Sequence, residues 1–140
     1  MSFAASFYSV PEIHLAARPD DVTEIVRDHG RELPIEYYWG GLCVQALLEY
    51  LDEARNLQIE MLGCMDGLAY VLPYAWRSRT ATLDPATFAT DDLVAAMGSD
   101  DFGLGLDDEE AREAAVDTLD AMVSALNHVE PDHALVIVVA

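Results

Sequence analysis

The sequence predicts an α/β fold, with a small, mostly parallel three-stranded sheet covered by helices. Three features carry that expectation. Residues 134–139 run Ala-Leu-Val-Ile-Val-Val without interruption, and a strand apolar on both faces belongs inside a covered sheet, usually a parallel one. Ahead of it Ala111, Ala115, Leu119, Met122, Val123 and Leu126 recur at helical spacing. At the other end residues 3–10 read as an aromatic strand closed by Pro11, with a helix after it. Strands and helices ordered in this way at both ends call for right-handed crossovers.

The elements follow in order. Pro19 fits a first helical turn, with Asp20, Asp21 and Glu24 near the positive end of the helix dipole. Val22, Ile25 and Val26 supply the apolar stripe and Gly30 the stop, which places a helix over residues 19–29. Residues 33–41, Leu-Pro-Ile-Glu-Tyr-Tyr-Trp-Gly-Gly, are a loop with three aromatics. Val44, Leu47, Leu48 and Leu51 then predict a helix over 42–55, and the alternation of Leu57, Ile59 and Met61 predicts a strand over 57–62. Asp66-Gly67 is a turn signal, so 68–72 can pair back as a hairpin. Residues 76–82 are polar and arginine-bearing, and read as loop. Asp84-Pro85 and Thr90-Asp91-Asp92 each read as a helix start, with Gly98 ending the second and an acidic loop over 99–106. Asp107 or Asp108 caps the long final helix, whose first turn holds Glu109 and Glu110. The 140 residues suit one domain, with 63–107 as an insertion and no linker or internal repeat.

Charge is the strongest compositional signal. There are 26 acidic side chains against 7 basic ones, a formal charge of −19, and every basic residue is arginine. From Asp84 onward 14 acids face only Arg112. Such a surface repels phosphate backbones and anionic lipid, and it speeds encounter with a basic protein. The prediction is therefore a protein partner, with no nucleic acid and no membrane. No apolar run approaches the roughly 18 residues of a membrane span, and no basic n-region precedes the first apolar residues, so no signal peptide is expected. Cys43 and Cys64 stand at no metal or redox spacing, which suits a reduced, cytoplasmic setting.

Catalytic, metal and cofactor chemistry find little support. Cys43 lies in the first turn of a predicted helix, where the dipole favours a thiolate, but none of His14, His29, His128 and His133 is placed near it by sequence. A small buried hydrophobe is the simpler reading, and a cysteine-dependent enzyme remains the alternative. His128, Glu130, Asp132 and His133 put four metal-ligand types in six residues, although open metal sites usually draw on separated elements. The acidic loop from Asp100 fails the calcium-loop pattern, because Phe102, Leu104 and Ala111 fall at ligand positions. Gly40-Gly41 is too short to cradle phosphate, and there is no lysine to serve such a loop. No metal or other cofactor is expected.

The stretch Leu33-Pro34-Ile35-Glu36-Tyr37-Tyr38-Trp39-Gly40-Gly41 resembles the barstar family, intracellular inhibitors of a secreted ribonuclease. Members carry a Leu-Pro-x-Tyr-Tyr-Gly loop that runs into a helix and a short strand, and their chain ends in a helix and a buried strand. The likeness covers about the first 62 residues and the last 33 of this chain. It implies a binding face made of the loop residues Tyr37, Tyr38 and Gly40 with an inhibitory acid at Glu49. Two departures stand out: Trp39 interrupts the Tyr-Tyr-Gly pattern, and Gln45 occupies the place of a second acid. Tyr37, Tyr38 and Trp39 are also stiff, large rings of the kind that anchor interfaces, unless they only cover the core where loop meets helix. The function expected from the whole is an acidic, non-enzymatic inhibitor, an immunity protein that blocks the active site of a basic toxin such as a nuclease. Its binding residues would be Tyr37, Tyr38, Trp39, Gly40, Gln45 and Glu49, and a generic regulatory interaction module is a further alternative.

Overall fold

The computed structural model describes residues 4–17, 19–54, 59–64, 67–83, 90–97 and 105–140. The apolar run near the C-terminus forms strand β5 (His133–Val139) at the centre of a five-stranded sheet. Around it lie β1 (Ala5–Pro11), β2 (Arg31–Glu32), β3 (Glu60–Cys64) and β4 (Gly67–Leu72), in the order β2-β1-β5-β4-β3. Every pairing within this sheet is antiparallel. The expected mostly parallel, three-stranded sheet is thus corrected in both strand number and direction. The segment expected as an insertion supplies β4, which pairs directly with β5 from Leu68 opposite Val139 to Leu72 opposite Leu135.

The physical reason for the error is plain in the burial. Side chains alternate along β5, so Leu135, Ile137 and Val139 enter one core while Ala134 and Val136 enter another. Phe7 on β1 and Tyr70 and Leu72 on β4 join the first core; Val10, Ala69 and Val71 join the second. A strand covered on both faces reads as a continuous apolar run whatever the direction of its neighbours. Helices α2 (Gly41–Ala54), α3 (Thr90–Met97) and α4 (Asp108–His128) cover the first face through Leu47, Leu51, Leu93, Met97, Leu119 and Leu126. The second face is covered by α1 (Thr23–His29) and the segment before it, through Leu15, Val22, Ile25 and Val26.

Several boundaries shift for identifiable causes. The first helix begins at Thr23 instead of residue 19 because Asp21 forms a parallel bridge with Gly63, and the Val22 amide donates to the Gly63 carbonyl at 2.9 Å. The Asp21 carboxylate then accepts from the Thr23 amide at 2.8 Å, and hydrogen bonds from Thr23 hold its pKa below the usual carboxylate value. Residues read as loop over 76–82 fall in a 3-10 segment, Tyr74–Leu83, that brings Trp76 into the core. The expected helix start at Asp84-Pro85 and most of the acidic loop over 99–106 lie outside the described residues. No helix among the described residues is long and apolar enough to cross a membrane.

Asp107, one of the two expected caps, closes α4 with a capping box. Its carboxylate accepts from the Glu110 amide at 2.8 Å, and the Glu110 carboxylate accepts from the Asp107 amide at 3.2 Å. The hairpin that Asp66-Gly67 signalled is present, with Gly67 opposite Cys64 where β3 and β4 begin to pair, and Gly67 has a second task. It opens β4 so close to the end of β5 that an added Cβ would collide with the Val139 carbonyl and sit 2.9 Å from the Ala140 Cα. Two stability effects follow. Asp107→Ala should cost about 1 kcal/mol in urea unfolding. Gly67→Ala should cost more, on the order of 1–3 kcal/mol, because the obstacle is backbone and cannot rotate away.

Candidate functional site

The loop between β2 and α2 crosses the outer face of α4. Leu33 anchors its start in the core, and its amide donates to the Phe7 carbonyl at 2.8 Å. Gly40 ends it with φ +83°, a left-handed conformation that suits glycine and lets the chain turn into α2. Between them the three aromatics take different orientations.

Tyr37 turns inward. Its ring meets Phe7 edge-on at 6.2 Å between centroids, and its hydroxyl lies 2.8 Å from Thr118 Oγ1 on α4. Because the Thr118 hydroxyl donates to the Ala114 carbonyl at 2.6 Å, the Tyr37 hydroxyl must be the donor to Thr118. The result is a directed chain from Tyr37 through Thr118 to a helix carbonyl. Cys43 is the other polar group beside the Tyr37 hydroxyl. Burial pushes the Tyr37 phenol far above its ordinary pKa, the Cys43 and Asp117 charges adding to it against the Thr118 bond.

Trp39 is half-buried and donates from Nε1 to Asp117 Oδ2 at 2.8 Å. Tyr38 points outward and is 87% exposed. Together the loop and α4 enclose a groove of about 510 Å³, lined by Pro34 to Trp39 on one side and Asp117, Asp120, Ala121 and Ser124 on the other. Three carboxylates, Glu36, Asp117 and Asp120, share it with three aromatic rings, and among the described residues no basic side chain lines it.

The expected binding residues are therefore divided. Tyr37, Tyr38 and Trp39 line one groove, with Tyr37 as much a core residue as a surface one, and Gly40 serves the backbone turn. Gln45 and Glu49 pair with each other on α2, Nε2 to Oε1 at 3.3 Å, and neither lines the groove. Glu49 instead borders a smaller pocket beside β3. Asp117, Asp120 and Ser124 are groove residues that the sequence reading did not single out. They share one face of the predicted last helix, but nothing in the sequence tells which loop crosses that face.

No protein-family model matches this chain, and no curated protein or solved structure does either. The remaining chemistry must be judged from the geometry. Cys43 is buried, and burial raises its thiol pKa, partly opposed by the hydrogen bond with Tyr37. That setting opposes a thiolate nucleophile. The histidines lie elsewhere: His14 stacks on His29 at 3.8 Å, and His128 Nδ1 contacts the Ser124 carbonyl at 2.7 Å. The stretch from His128 to His133 serves as a junction: Glu130 meets His133 at 3.2 Å and Arg31 at 3.5 Å, and Arg31 donates to the His128 carbonyl at 3.2 Å. Among the described residues no three His, Cys, Asp or Glu side chains converge to hold a metal.

Two measurements check this account. Cys43 should resist iodoacetamide at about pH 8 in the native protein and react only on unfolding, read by mass spectrometry of the labelled peptide. Tyr37→Phe should lower stability by about 1 kcal/mol in urea unfolding, since it removes the donor to Thr118 at a half-buried site.

Proposed function

We propose that this chain is an acidic inhibitor that docks on a basic protein, an immunity protein that covers the active site of a cationic toxin, with a nuclease as the first candidate. The observation that carries the reading is the groove between the loop and α4, in which exposed and half-buried rings sit among three carboxylates with no cation among the described residues that line it. A nuclease cleft binds phosphate with arginine and lysine. Carboxylates at fixed positions can take the place of those phosphates, and close charge pairs of this kind couple by about 1.5–7 kcal/mol.

Two further properties support docking. The groove is organised before any partner arrives, because Tyr37 is tied to Thr118, Trp39 to Asp117 and Gly40 fixes the turn. Little side-chain entropy is then lost on binding, which raises affinity for a given contact area. Tyr38 stands clear of the fold as a rigid ring that can enter a partner's cleft. The charge of −19 adds long-range attraction that accelerates encounter.

The test is neutralisation in cells. Screened by co-expression against a panel of basic nuclease toxins, the protein should restore growth against at least one of them, and the Tyr38→Ala/Asp120→Lys double variant should fail to protect. Both positions are exposed, so the double variant should keep the native far-UV spectrum and Tm. With purified proteins, raising NaCl from about 0.05 to 0.5 M should slow association by roughly tenfold or more. Equal protection by the double variant, or an association rate indifferent to salt, rejects the reading.

A further inference from the structure

A second, smaller cavity of about 110 Å³ opens between α2 and the edge strand β3, lined by Leu48, Glu49, Asp52, Ile59, Met61 and Tyr70. The aromatic loop packs on the β1 side of the helical layer, whereas this pocket lies beyond β4. The two sites share no lining residue.

The inner wall is Tyr70, only 4% exposed. Its hydroxyl is buried and has no hydrogen-bond partner among the described residues. Buried hydroxyls are rarely left this way, because the lost hydration is not replaced. Burial, with the nearby Glu49 charge adding to it, raises the Tyr70 pKa, so the group stays a neutral hydroxyl able to donate and accept. The two carboxylates beside it are each only half engaged. Glu49 accepts from Gln45 through Oε1 at 3.3 Å, and Asp52 accepts from the Ile59 amide through Oδ1 at 2.9 Å. Among the described residues no basic side chain lines the pocket, while Leu48, Ile59 and Met61 give it apolar walls and Met61 stands 55% exposed at its mouth.

We propose that this pocket binds one cationic head group, a guanidinium or a primary ammonium, with Glu49 and Asp52 as its counter-charges and the Tyr70 hydroxyl as the innermost acceptor. A neutral donor would leave two carboxylates uncompensated, and an anion would be repelled by both. A cation on an alkyl stem satisfies every group present: its N–H bonds reach the three oxygens and the stem lies along Leu48, Ile59 and Met61. The head group can arrive as an arginine or lysine side chain of a bound protein or as a free small amine; the chemistry is the same.

Methyl NMR of the full chain tests the proposal with butylguanidinium, its neutral counterpart butylurea, and the capped tripeptide acetyl-Gly-Arg-Gly-amide. Butylguanidinium should produce saturable shifts confined to the Leu48, Ile59 and Met61 methyls, and butylurea should not. Tyr70→Phe should weaken binding by about tenfold, the loss of one hydrogen bond to a charged group, without lowering Tm, because no existing bond is removed. Glu49→Gln should weaken it at least as much. Asp132→Asn, which changes net charge equally at an exposed turn, should leave affinity unchanged. The tighter of the two cationic probes assigns the source, a peptide side chain or a free amine. No saturable shift, equal response to butylurea, unchanged affinity in Tyr70→Phe, or a fall in Tm in that variant each overturns the proposal. A fall in Tm would mean that the hydroxyl is already bonded within the fold. None of these readouts involves the aromatic groove, so failure here leaves that site standing.

Discussion

Strand β5 must be hidden on both faces, and most of the structure answers that constraint. Leu135, Val136 and Ile137 are fully buried, and burying each such side chain is worth about 1.5–3 kcal/mol relative to leaving it in water. One layer of helices cannot cover two faces. The long helices α2 and α4 take one side, and the short α1 with the chain before it takes the other. The hydrogen bonds of β5 are met by β1 and β4, which places the hairpin β3–β4 within the main sheet.

The close approach of α4 to the loop depends on small side chains. Ala111, Ala114, Ala115, Ala121 and Ala125 line its buried face, and Thr118 sits among them with its hydroxyl turned back to the helix carbonyl of Ala114. Tyr37 reaches that hydroxyl only because the surrounding stripe is narrow. The same helix therefore serves two purposes. Its inner face completes the core, and its outer face presents Asp117 and Asp120 beside aromatic rings that the core itself holds in place.

Arginine use explains why so much negative charge remains available. Arg27 pairs with Glu24 and Asp28, Arg31 with Glu130, and Arg112 with Asp91, all on exposed surface. Exposed pairs of this kind contribute at most about 1 kcal/mol each. They organise local junctions such as the one between β2 and the start of β5, and they do not enter the groove or the pocket beside β3. Among the described residues no arginine lines either site, so the carboxylates there keep their pull on a cation.

Local order was legible in the sequence wherever short-range chemistry decides it. The stripe from Ala111 to Leu126, the Asp107 cap, the apolar run of β5 and the helix after Gly40-Gly41 all rest on contacts within a few residues, and each stands close to where periodicity put it. Which residues carry aromatic and acidic character was equally plain. Tertiary structure decided strand direction, because a doubly covered strand has the same composition in a parallel or an antiparallel sheet. It also decided which acids join the rings. Glu49 is nearer to Tyr37 in sequence, but α2 carries it away toward β3, while Asp117 and Asp120 arrive from 80 residues onward through the packing of α4 on the loop. Such a pairing depends on how two surfaces cross in space, and no spacing along the chain encodes it.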